Sequence, residues 1–133
     1  MFGNLKRKVF RQGDVMLEFV ADNKTFDDAL KASTNPLRDA TIDENRIVLA
    51  YGEVTGHAHA IYPEVEVIDG EEKTVLPAKL WDAGAERFLQ VIKKTALKHE
   101  EHAPIPLDPG VYRVIQQREY DPEEAARQRR VAD

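Results

Sequence analysis

The feature that most constrains this chain is a succession of short runs in which apolar and polar residues alternate, each closed by glycine, proline or an Asp/Asn turn. "DVMLEFV" (14–20) is the clearest: its alternation places Val15, Leu17 and Phe19 on one face, as in a half-buried β-strand. Gly13-Asp14 just before it reads as a turn. "RIVLAYG" (46–52) and "HAHAIY" (57–62) flank a short glycine-bounded connection, and "EVEVI" and "KTVLPAKLW" flank "DGEE", where Asp69-Gly70 is a strong hairpin signal. With "RFLQVIKKTAL" (87–97) and "VYRVIQQREY" (111–120) these make about seven or eight strands. The expected fold is all-β with minor α content, a small antiparallel barrel or sandwich, of which a jelly-roll is one form.

Two helices are expected. Thr25, followed three residues later by Asp28, predicts a capping box before a short helix near 26–33, which stops before Asn35-Pro36. Asp121 as N-cap and Pro122 at the first helical position predict a C-terminal helix near 122–130. No linker, repeat or low-complexity tract interrupts the 133 residues, so one domain is expected, with residues 1–12 as a basic arm and 121–133 as a helical tail.

Composition excludes several chemistries. The chain has no cysteine, which removes disulfides, thiolate nucleophiles and cysteine zinc sites and leaves histidine and carboxylate as its strong metal ligands. There is no glycine-rich phosphate loop and no Gly-x-Ser-x-Gly elbow. A net charge of −5 argues against a general nucleic-acid binder, leaving only local contacts by the basic ends (Lys6, Arg7, Lys8 and Arg11; Arg127, Arg129 and Arg130). No apolar stretch is long enough to span a bilayer, and a cytoplasmic protein of bacterial or phage type is expected.

All four histidines fall into two pairs. In His57-Ala58-His59 a strand would point both imidazoles to one face, with Ala58 turned the other way; such a pair can reach a single ion. In His99-Glu100-Glu101-His102 the spacing of three suits a turn, and the prolines at 104, 106 and 109 forbid a long helix. Glu100 and Glu101 add oxygen ligands or a general base and are the catalytic candidates. Metal ligation by these histidines, with zinc, iron, nickel or manganese all compatible with the donor types, competes with a polar cluster that titrates near neutral pH without metal.

The stretch from Gly52 resembles the first motif of the cupin superfamily: Gly52, His57, His59, Glu64 and Gly70 follow its order of glycine, His-x-His, glutamate and glycine. The resemblance implies that His57, His59 and Glu64 bind a metal with one further histidine. Pro109-Gly110 matches the turn of the second motif, but Arg113 stands where that histidine belongs, so His99 or His102 would have to take its place. Over most of its length, through "RQGDV", "GEVTGHAHAI", "HEEHAPI" and "PGVYRVIQQREYDP", the chain is also similar to a group of small uncharacterised bacterial and phage proteins, which implies no particular activity.

Other residues have structural readings first. Arg11 and Asp14 suit an ion pair that fixes the first turn, or a pocket lining. Trp81 suits a core anchor, and Tyr51, Tyr62, Tyr112 and Tyr120 suit core or rim positions. Three roles are carried forward: a metal-binding module with His57, His59, His99, His102 and Glu64 as ligands; a homo-oligomeric assembly protein acting through its termini; and a metal-dependent enzyme. Whether the chain is an enzyme is open at this stage.

Overall fold

The computed structural model describes residues 8–34, 37–41, 45–52 and 56–117. Twelve strands and one helix follow in the order β1 (Val9–Gln12), β2 (Val15–Ala21), α1 (Asn23–Ala32), β3 (Arg38–Asp39), β4 (Ile47–Tyr51), β5 (Ala58–Ile61), β6 (Glu64–Ile68), β7 (Glu71–Val75), β8 (Ala78–Asp82), β9 (Arg87–Val91), β10 (Thr95–Leu97), β11 (Ile105–Leu107) and β12 (Gly110–Gln116). All pairings are antiparallel.

The larger layer is a six-stranded sheet in the order β1-β2-β12-β9-β8-β3. Its edge strands do not pair with each other, so it is an open sheet and not a barrel. The β4–β5 and β10–β11 hairpins make the second layer, joined by two 2.9 Å hydrogen bonds between Ala60 and Lys98. The core lies between the layers. Leu17, Leu80, Leu89, Val91 and Tyr112 of the large sheet form one buried cluster with Ile47, Leu49, Ile61, Leu97 and Leu107 of the small one. Among the described residues the fold is thus an all-β sandwich with one short helix.

Expected and observed elements differ where tertiary contacts decide. The helix starts at Asn23, not Phe26, because β2 ends at Ala21 and Asp22 caps immediately: its carboxylate accepts from the Thr25 N–H at 2.7 Å. The run 87–97 is two strands, since the Ile92 and Lys93 amides both donate to the Pro77 carbonyl and the chain crosses there to the second layer. Pro77, which has no N–H of its own, likewise ends the run that was expected to continue into β8. "IPL" is strand β11, with Pro106 opposite Ala96 on a strand that pairs on one side only. Of the expected basic arm, residues 9–12 are β1, while residues 1–7 and the expected C-terminal helix lie outside the described residues. Trp81 is half-buried, not a core anchor. It sits with Phe88 against Phe26 of α1 at ring separations of 6.3 Å, its indole N–H donating to Gln90.

The Asp69-Gly70 turn forms as expected. Both residues have positive φ, 53° and 81°, as the tightest two-residue hairpin requires. Among the described residues no helix is long and apolar enough to cross a membrane.

Candidate functional site

Strand periodicity positions the histidines. His59 shares a face of β5 with Ile61, and His99 follows Leu97 by two residues; Ile61 and Leu97 are core side chains, so these imidazoles face inward. Ala58 is turned away and fully buried. His99 and His102 lie in the connection between β10 and β11, which folds back over the start of β5. From the large sheet the β1–β2 turn, Gln12-Gly13-Asp14, closes the site.

The two sequence pairs therefore become one cluster. The His99 ring lies 4.3 Å from His59, 4.8 Å from His102 and 5.9 Å from His57, centre to centre, and His59 and His102 stack at 5.9 Å. Two glycines let backbone approach the rings. A Cβ at Gly13, which has φ of 58°, would lie 2.9 Å from His102 Nε2 and 3.3 Å from His59 Cε1; one at Gly52 would lie 3.1 Å from His99 Nε2.

Three carboxylates reach the cluster. Asp14 Oδ1 is 3.3 Å from His59 Nε2, and Glu101 Oε1 is 3.5 Å from His57 Nδ1. Glu100 Oε2 stands 4.0 Å from His99 Nδ1 and accepts the Ala58 N–H at 3.0 Å. That bond is the main reason its carboxyl is held below the usual carboxylate range. His99 Nδ1 accepts the Glu101 N–H at 3.0 Å. Both catalytic candidates thus have positioning contacts inside the cluster. Burial pushes the His59 imidazole below its ordinary pKa; the neighbouring His99 and His102 push the same way, and Asp14 opposes them.

Glu64 opens β6 opposite Val75, in the separate β6–β7 hairpin, and is not among the carboxylates around the rings. The carboxylate that faces His59 is that of Asp14. Asp14 is not paired with Arg11, which bonds instead to Gln117; its Oδ2 accepts from Gln116 Nε2 at 3.0 Å and its carbonyl accepts the Gln117 N–H. Arg113 is engaged with Glu18 at 2.9 Å and Glu86 at 3.6 Å. Tyr62 lies beside Arg46 and Lys98, Tyr51 is exposed, Tyr112 is a core residue bonded to the Asp108 carbonyl, and Tyr120 lies outside the described residues.

Gln12 was missed. It is 3 % exposed, and its amide bonds at once to His59, Leu97 and Ala103. The only hint in the sequence is its place in "RQGD", the segment that also carries Asp14. Among the described residues no three histidine or carboxylate side chains stand around one point as a finished metal cage. The shortest histidine–carboxylate separation among the described residues is the 3.3 Å from His59 Nε2 to Asp14 Oδ1.

Residues 11–117 match the family model described as Domain of unknown function (DUF8820). No curated protein and no solved structure matches the chain.

Proposed function

We propose that this chain, which belongs to the DUF8820 family, is a divalent-metal-binding module centred on His59 and Asp14, with His102 and His99 beside them. The observation that carries the reading is the 3.3 Å between His59 Nε2 and Asp14 Oδ1. Metal–nitrogen and metal–oxygen bonds of about 2.0–2.2 Å at a tetrahedral angle set two ligands on one ion roughly 3.3–3.5 Å apart. A charge-assisted hydrogen bond between the same groups would draw them to about 2.7–2.9 Å. The pair therefore has the spacing of two ligands sharing an ion.

The third donor is His102. Its Nε2 borders Gly13, the residue between Gln12 and Asp14, and the residue is exposed on the β10–β11 connection, where the ring has room to turn. His99 packs between the other two rings, but its Nδ1 lone pair accepts the Glu101 N–H, so neutral His99 carries its proton on Nε2 and supports the site without being a ligand. One carboxylate and neutral imidazoles suit zinc, iron(II), nickel(II) or manganese(II), and the absence of thiolate disfavours the softest ions. An incomplete shell of rigid donors plus one exposed histidine describes a site that takes up and exchanges an ion.

Titration of chelator-treated protein with zinc, manganese, nickel or iron(II) salts tests this. The expected result is one equivalent of at least one of these ions per chain. A rise in thermal stability should accompany it, about 2.7 kcal/mol when free metal is a hundredfold above Kd. Failure of all four ions to bind at millimolar concentration removes the reading.

A further inference from the structure

We infer that Gln12 is the positioning residue of this centre: one buried amide that presents the Nε2 lone pair of His59 and pins both ends of the segment bearing His99 and His102. Its functional half rests on the metal-binding reading; its structural half rests on hydrogen-bond geometry alone.

The Gln12 Nε2 donates to the Leu97 carbonyl at 3.0 Å and to the Ala103 carbonyl at 2.9 Å. Those two acceptors decide which end of the amide is nitrogen, because the reversed orientation would place an oxygen against two carbonyl oxygens. Gln12 Oε1 is then the atom 2.8 Å from His59 Nδ1. An amide oxygen only accepts, so the proton in that bond belongs to the imidazole. Neutral His59 is therefore the Nδ1–H tautomer, and its lone pair sits on Nε2, the nitrogen that faces Asp14. Two acceptors facing each other at that distance call for a cation between them, a proton or a metal ion.

The second function of the amide follows from where its nitrogen points. Leu97 ends β10 and Ala103 precedes β11 by two residues, so the two bonds clamp the segment between them at both ends. His99 and His102 both lie within that segment. A single side chain from the large sheet thus sets the donor atom of His59 and the seat of the other two imidazoles, as groups behind metal ligands commonly do.

Gln12→Glu and Gln12→Met separate the two functions. A carboxylate still accepts from the Nδ1–H but cannot donate to the carbonyls; a thioether of similar size does neither well. The experiment is long-range ¹H–¹⁵N spectroscopy of the histidine rings in metal-free protein, together with zinc titration of wild type and both variants. The expected wild-type signature for His59 is Nδ1 protonated and Nε2 bare. Gln12→Met should lose that preference and bind zinc about ten- to a hundredfold more weakly. Gln12→Glu should keep the tautomer and show faster amide exchange across residues 98–103.

A wild-type spectrum with Nε2 protonated, in a protein that binds zinc, would sink the assignment of Gln12 and leave the metal reading standing. Nδ1 protonated in a protein that binds none of zinc, manganese, nickel or iron(II) would do the reverse. Folded Gln12→Met with unchanged tautomer and unchanged zinc affinity would also overturn the assignment. The wild-type spectrum decides the question even where a variant does not fold.

Discussion

His59→Ala is expected to abolish metal binding and to destabilise the metal-free protein as well. His59 is 2 % exposed, and its imidazole is the point where strand β5, the β1–β2 turn and the β10–β11 connection meet. Its removal deletes the nitrogen that faces Asp14 and leaves the buried Gln12 Oε1 without its donor. An orphaned buried acceptor costs about 1–3 kcal/mol, and the space left by the ring adds to that. Titration should show zinc affinity reduced beyond a hundredfold, and urea melts of chelator-treated protein should show a loss of roughly 2–4 kcal/mol. His57→Ala is the informative contrast. His57 lies at the rim of the cluster, 5.9 Å from His99, with its side chain 26 % exposed and its Nδ1 in no hydrogen bond. It should lose much less of either quantity. Equal losses in the two variants would mean that the metal centre lies between His57 and Glu101, not at Asp14.

Leu89→Ala is expected to be the most damaging single change to the fold. Leu89 is fully buried in β9, flanked across the sheet by Tyr112 of β12 and Leu80 of β8, both also in the core cluster. Truncation removes the attraction of three buried methylene-sized groups and leaves a cavity that a six-stranded sheet cannot collapse around. Changes of this kind cost about 2–5 kcal/mol, a large part of the roughly 5–15 kcal/mol that holds a domain together. The urea midpoint should fall in proportion with the slope unchanged. Val67→Ala, on a residue 71 % exposed in the β6–β7 hairpin, should stay within about 0.5 kcal/mol of wild type. A Leu89→Ala loss as small as that would contradict the placement of the core between the two layers. The folded fraction of Leu89→Ala should keep its metal affinity, because Leu89 contributes nothing to the histidine cluster.

Alternation was enough to place β2, β4, β5, β6 and β12, and the Asp69-Gly70 turn was legible because a two-residue hairpin loop admits few other residues. Meeting of the two histidine pairs was also legible, as a possibility opened by the absence of cysteine. The misreadings share a cause. Whether 87–97 is one strand or two depends on which carbonyl accepts the amides of Ile92 and Lys93, and that acceptor, Pro77, is fixed by tertiary contacts. "IPL" pairs as a strand in spite of Pro106 because its missing N–H falls on an edge. Glu64 sat at the right distance along the chain from His59 but on a hairpin outside the two layers, whereas Asp14, 45 positions before His59, faces it across the sandwich. Gln12 carries no signature at all. A glutamine before a turn is ordinary, and only the three atoms around its amide give it a role.

The most direct measurement is a crystal structure of the zinc-loaded protein with anomalous data collected on both sides of the zinc absorption edge. The account predicts a peak about 2.0–2.2 Å from both His59 Nε2 and Asp14 Oδ1, with the His102 ring turned to complete the shell. A peak bound by other side chains, or none at a zinc concentration that saturates the protein in solution, would contradict it.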